Sequence, residues 1–290
     1  MFLSILVNGL VSGGMYAVLA VGFSLVFGVA KILNLAHTAF YMVTAFLILS
    51  GTTFIGLALP ISVILAVVVT GLLGIVCYKL CFDRVKVHET AVMIISVAIA
   101  MLFQEIFLLI FSEQFRMIKA FIPGFVEIAG VRVLYHHFFA VGASLVTLIL
   151  VWLVLSKTRL GKAIRAINQD SEIANLMGID VGRISLLILG ISAMLAGVAA
   201  VAIVPIVMVH PLMWTDPLVI VLSSVVLGGL GSVKGSVTAA FILGFAETWV
   251  TFVVPSGSFL KGAISLAVMV VVLLLRPEGL FGVVFEEERL

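Results

Sequence analysis

Polar side chains stand inside or beside long apolar runs at Asn8, Tyr16, Asn34, His37, Gln104, Glu105, Glu247 and Thr248. Such groups donate and accept hydrogen bonds, and His and Glu also carry protons. In hydrocarbon they are costly: an Asp or Lys at mid-depth costs about 2.5–3.5 kcal/mol on one insertion scale, so they mark partners or pathways. Tyr16, Asn34, His37, Thr44, Ser224 and Glu247 are the candidates for lining a solute pathway. Structural readings stand beside that one. Glu247 would serve more readily as an interhelical hydrogen-bonding group than as a solute ligand, and Asn34 with His37 as the cap of a broken helix. Glu105 and Glu247 each require pairing, a water-filled cavity or a neutral carboxyl. No metal-ligand spacing and no hydrolytic triad is visible.

A second kind of chemistry is concentrated between Lys157 and Arg183. This stretch holds Lys157, Arg159, Lys162, Arg165 and Arg183, five of the sixteen basic residues. Asp170 stands where an N-cap belongs, ahead of the helix-compatible run Ser171 to Met177, and Gly178 stands where a left-handed C-terminal residue belongs. An ordered, basic, two-helix loop between apolar runs is a docking site for a peripheral protein. A small residue at Gly161 would allow close approach, and Lys162 with Arg165 would meet acidic partners. The bland reading is a solvated basic loop with no partner.

The elements that must position these residues follow from composition. Hydrophobic residues make up 63% of the chain, charged residues 10%, and the mean hydropathy is +1.38. Soluble domains carry roughly 45–50% apolar and about 25% charged residues. Apolar segments near 4–29, 38–50, 58–82, 90–111, 136–156, 184–208, 217–233, 235–254 and 259–276 approach the roughly 20 residues needed to cross hydrocarbon. The expectation is an all-α, polytopic transmembrane helical bundle of eight or nine spans, one domain over 1–290. A soluble enzyme is excluded. No Lys or Arg precedes Lys31, so the first run reads as a retained signal-anchor. Cys77 and Cys81 read as small apolar filler. The net charge of +2 gives no reason to expect nucleic acid.

Orientation follows from the basic residues. With 157–183 in the cytoplasm, alternation puts Lys31, Lys79, Arg84, Lys86, the five of the central loop, Lys234, Arg276 and Arg289 inside. Arg116, Lys119, Arg132 and Lys261 fall outside, a bias that puts the N-terminus outside and the C-terminus in the cytoplasm. Segments 38–50 and 217–233 are short and flanked by polar or Gly-rich breaks. Paired short segments point to broken helices in two inverted repeats around a central pathway; tilted ordinary helices are the alternative. Small residues at Gly9 and Gly13, Ala193 and Gly197, and Ala240 and Gly244 allow close helix approach, for packing or for sliding. The loop His210–Pro217 reads as a contact for a binding protein, an outer gate or an interfacial turn.

Four ordered blocks carry a family resemblance. The opening Asn8-Gly9-Leu10-Val11-Ser12-Gly13-Gly14-Met15-Tyr16-Ala17, then Gly22, Phe27-Gly28 and Asn34-Leu35-Ala36-His37, resembles branched-chain amino-acid ABC transporter permeases. Thr158, Gly161, Arg165-Ala166, Asp170, Ala174 and Gly178-Ile179 are similar to that family's ATPase-coupling loop. Val226-Leu227-Gly228-Gly229-Leu230-Gly231-Ser232, with Gly235, Gly244 and Glu247-Thr248, and the ending Arg276-Pro277-Glu278-Gly279-Leu280-Phe281-Gly282 match as well. The chain resembles the shorter permease subunit. Thr38 and Thr44 depart from it, standing where many members have Gly.

The resemblance implies a bacterial inner-membrane permease with a homologous second permease, two cytoplasmic ATPases, an extracytoplasmic solute-binding protein and surrounding membrane lipid. Thr158, Gly161, Lys162, Arg165, Ala166, Asp170, Ala174 and Gly178 would form the coupling element. No cofactor is expected. The chain lacks GxxxxGK[ST]; Gly228–Ser236 fails because Gly does not precede Lys234 and the spacing is wrong. A secondary transporter or channel working without ATPases, and a polytopic membrane enzyme, are the competing classes. The central loop favours the importer over a lone transporter, and the lack of a clustered His, Asp or Cys set weighs against an enzyme. With no ring of Arg or Lys at mid-depth, the expected solute is a branched-chain or other hydrophobic amino acid, with urea or a short amide as the alternative.

Overall fold

The computed structural model describes residues 1–85, 88–128, 130–255, 257–276 and 278–281. Lys86, Pro277, Gly282 and Arg289, named above, lie outside the described residues. The helices, in chain order, are α1 (Phe2–Ala30), α2 (His37–Thr53), α3 (Leu59–Cys77), α4 (Glu89–Phe111), α5 (Tyr135–Lys157), α6 (Arg159–Gln169), α7 (Ser171–Leu176), α8 (Val181–Ile203), α9 (Thr215–Gly228), α10 (Val233–Val253) and α11 (Lys261–Leu275). A π-helical turn, Tyr78–Phe82, extends α3, and a short antiparallel hairpin, β1 (Phe125–Ile128) with β2 (Val131–Leu134), precedes α5. The expected all-helical polytopic bundle is what the chain forms.

Among the described residues, seven helices are long and apolar enough to cross a membrane. Helices α2, of 17 residues, and α9, of 14, coincide with the two segments whose sequence flagged them as short. Their shortness has a visible cause. After α1 the chain leaves helix at Lys31 in the left-handed region and re-enters the bundle with Ile32, Asn34 and Ala36 buried. Irregular backbone at membrane depth is tolerated only where protein satisfies it. Here Asn34 Oδ1 accepts from Ala36 N–H at 3.1 Å, and Leu35 N–H donates to Ser96 Oγ at 3.1 Å. The connection from α8 to α9 re-enters in the same way, with Val204, Val209 and Met213 buried and Arg116 exchanging two backbone hydrogen bonds with Val209.

The main helix crossings are repeated under exchange of α1–α4 with α8–α11. The most extensive contact is α1 along α10, and its exchange partner is α8 along α3; α2 lies on α8 as α9 lies on α1. Both crossings are made by small residues. A Cβ built on Gly244 would stand 2.6 Å from Gly13 Cα. One on Gly74 would stand 2.5 Å from Ala193 Cβ, and one on Gly71 2.5 Å from Met194 Cγ. The paired helices run antiparallel: Gly9 and Gly13 meet Phe245 and Phe241, while Gly28 lies by Gly231 just before α10. Ala193, Gly197, Ala240 and Gly244 are all buried, as the small-residue spacing implied. Apolar side chains face lipid elsewhere, with α11 and α5 burying the least of their surface.

Overpacking a closed contact costs about 1–3 kcal/mol or more. Gly244→Val therefore lowers the melting temperature of the detergent-solubilised protein by several degrees. The same substitution at Gly142, where an added Cβ meets nothing within 4 Å, leaves it unchanged. Equal melting temperatures for the two variants would refute the glycine crossing.

Candidate functional site: a capped helical loop and a polar cleft

The loop between α5 and α8 folds because each end is satisfied by its own residues. Thr158 caps α6, its hydroxyl accepting from Gly161 N–H at 3.1 Å. Asp170 Oδ1 caps α7, accepting from Glu172 and Ile173 N–H at 2.9 Å each. Gly178 takes φ +87°, while Ile179 N–H bonds back to Ala174 O at 3.1 Å, so the left-handed stop sits where the sequence put it. Asp180 caps α8, accepting from Arg183 N–H at 3.0 Å and pairing with its guanidinium. Ile164, Ile167 and Ala174 are buried under the loop, and Lys31 Nζ donates to Asn168 Oδ1 at 3.1 Å. The loop is therefore seated on the end of α1.

Within the loop, Gly161 packs against α5 itself: any side chain there would run into the carbonyls of Val154 and Leu155. The close approach expected of Gly161 is thus made within the chain. Arg165 donates to Leu155 O, one of the carbonyls at the end of α5. Lys162 is exposed and Ala166 half-buried. The tip of α7 was not among the contacts expected from sequence. Ile173, Leu176 and Met177 are 59%, 85% and 80% exposed, an apolar knob on an otherwise polar loop. The signal was present as apolar residues on both sides of the Gly178 stop.

On the side of the bundle away from this loop, six helices line a cleft of about 160 Å³. Its polar lining is Ser12 and Tyr16 from α1, Tyr41 from α2, Asp216 from α9, Glu247 from α10 and Lys261 from α11. Met15, Ile203, Met208 and Met213 supply apolar walls. Lys261 Nζ lies 3.4 Å from Glu247 Oε1; the Glu247 side chain is 4% exposed and that of Lys261 43%. Tyr16 approaches the Glu247 carboxylate, yet Oε2 is buried without a well-formed hydrogen bond among the described residues. His210 stands at the rim. Burial holds its imidazole below the ordinary histidine value, and the Asp216 carboxylate opposes that shift.

Of the expected pathway residues, Tyr16 and Glu247 meet here. Asn34, His37, Thr44 and Ser224 lie elsewhere, each tied within the protein. His37 is buried between Leu19 O and Ser192 Oγ, both at 3.0 Å, and so joins α1, α2 and α8. Thr44 Oγ1 bonds Phe40 O and Thr70 Oγ1, and Ser224 Oγ donates to Ile220 O at 2.7 Å. Glu105, by contrast, is exposed on α4 beside Gln104, which accepts from Trp214 Nε1 at 2.9 Å. Among the described residues no group of three His, Cys, Asp or Glu could hold a metal ion. Within the Gly228–Ser236 stretch, residues 229–232 turn tightly between α9 and α10 so that Gly228 packs on Gly235, and Leu280 and Phe281 N–H close on the last carbonyls of α9.

The model of the family described as branched-chain amino acid transport system / permease component matches residues 5–273. The chain belongs to that family. Among curated relatives, this permease is 27% identical to the high-affinity branched-chain amino acid transport system permease protein BraD of Pseudomonas aeruginosa, covering 97% of this chain and 96% of the relative. It is 25% identical to LivH of Escherichia coli K12, over 97% and 96% of the two chains. It is 26% identical to a probable branched-chain amino acid transport permease, LivH, of Methanocaldococcus jannaschii, over 96% and 92%. A solved structure titled PsaBC from Streptococcus pneumoniae in complex with Fab shares the fold, with a TM-score of 0.54 and 16% identity over 94% of this chain and 92% of that one. Fold, family and apolar helices together make this a multi-pass membrane protein.

Proposed function

We propose that this permease imports a branched-chain or other hydrophobic amino acid across a bacterial inner membrane, driven by two ABC ATPases bound in trans. A second, homologous permease completes the membrane unit, and an extracytoplasmic solute-binding protein delivers the solute. The observation that carries this reading is the loop between α5 and α8. It is capped at four points, seated on α1, and presents Leu176 and Met177 to solvent. A rigid loop with an exposed apolar knob is built to enter a groove on a soluble partner, since buried apolar anchors hold most of the energy of such interfaces. The basic residues around it steer the encounter. Thr158, Gly161, Asp170, Ala174 and Gly178 shape the element; Lys162, Leu176 and Met177 contact the partner.

The solute assignment draws on the relatives' transport systems and on the cleft, whose methionine walls and mixed charges suit an apolar zwitterion. In this reading the α6–α7 end faces the cytoplasm and the cleft faces outward.

Leu176→Asp places a carboxylate in the partner groove while leaving every cap intact. It reduces ATPase recovery in mild-detergent co-purification roughly tenfold or more, the scale of a buried anchor residue, at unchanged permease expression. Undiminished recovery and transport would remove the loop from the coupling role. Arg165→Glu is a less selective probe, because it also unties α6 from α5.

In membrane vesicles carrying the complete transporter, a tenfold excess of leucine, isoleucine or valine suppresses uptake of the labelled physiological solute. If none competes while urea or a short amide does, the amino-acid assignment fails and the importer class stands.

With Cys77 and Cys81 replaced by Ser, Asn175→Cys reacts with membrane-impermeant maleimide only in inside-out vesicles, and Leu212→Cys only in right-side-out ones. The opposite pattern would invert the topology.

A further inference from the structure

The cleft has an unequal charge arrangement that packing does not require. Asp216 and Glu247 give it two carboxylates, and Lys261 gives it one ammonium. The two partners of the ion pair differ in freedom. Glu247 is fixed deep between helices, whereas Lys261 stands at the start of α11 with its side chain nearly half exposed. Oε1 of Glu247 meets Lys261; Oε2 is buried beside Tyr16 with no well-formed hydrogen bond among the described residues. A buried carboxylate left with free acceptor positions is an unstable arrangement unless a donor arrives. Tyr16 and Tyr41 border the same space with hydroxyls, and Met213 with Ile203 offers a flexible apolar surface. The cavity, about 160 Å³, holds a solute of a few carbons.

We propose that this cleft is a recognition site for the ammonium group of an apolar amino acid, with Glu247 Oε2 as the acceptor and Asp216 at the rim. Lys261 turns from Glu247 to the solute's carboxylate, so that one ion pair is exchanged for two. The inference rests on the importer reading for the amino acid, and on the cleft alone for the ammonium.

The test uses the complete detergent-purified transporter and three probes of one carbon skeleton: leucine, isoamylamine without the carboxylate, and 4-methylpentanoate without the ammonium. In competition against radiolabelled leucine, isoamylamine displaces it and 4-methylpentanoate does not. Glu247→Gln weakens leucine and isoamylamine by about tenfold each, the effect of losing one charge-assisted hydrogen bond. Lys261→Gln weakens leucine and leaves isoamylamine unchanged. Should either variant fail to assemble, Asp216→Asn at the exposed rim and the wild-type analogue series decide the question. Stronger competition by 4-methylpentanoate than by isoamylamine, or leucine affinity indifferent to Glu247→Gln in an assembled transporter, overturns the inference. Leucine uptake with an indifferent cleft sinks this site alone. Isoamylamine binding that Glu247→Gln abolishes, in a transporter that ignores leucine, sinks the solute assignment and keeps the ammonium site.

Discussion

Backbone contact between α1 and α10 at Gly13 and Gly244 sets the rest of the molecule. With no side chain between them, the helices approach as closely as dispersion allows, the principal attraction available within lipid. That approach also places the cleft. Tyr16 lies one turn beyond Gly13, and Glu247 one turn beyond Gly244, in antiparallel helices that carry them apart along the axis. Helical side chains lean toward their own N-terminus, so Tyr16 and Glu247 lean back toward each other. A bulkier residue at either glycine would separate the pair as well as the helices.

The second crossing, α3 on α8, repeats the arrangement with Gly71, Gly74, Ala193 and Gly197. Each half has a long first helix, a re-entering connection and a short second helix, and each uses its first helix to bind the third helix of the other. The halves are interleaved, so neither buries its apolar surface without the other.

Local features were legible in the sequence because local interactions make them. The caps at Asp170 and Gly178, the short helices and the small-residue faces are each decided within a few residues. The sequence reading also brought Tyr16 and Glu247 forward, from the cost of polar groups in hydrocarbon. What it could not give were partners far apart in the chain. His37 meets Ser192 across 155 positions, and Lys261 reaches Glu247 across a turn. Asp216 and Tyr41 join the cleft only because α9 and α2 re-enter. Arg165, taken as a contact for a partner, is drawn to a carbonyl of α5 that no periodicity marks.

One helix connects the capped loop with the cleft. α8 begins at Val181, immediately after the capped loop, and runs unbroken to Ile203 in the wall of the cleft. Its 23 residues span about 35 Å at 1.5 Å per residue. Midway, Ser192 holds His37, which clasps α1 and α2. In the proposed importer, this continuity would carry an axial thrust on the loop toward the cleft wall, with the Ser192–His37 hydrogen bond tying α2 to the same motion.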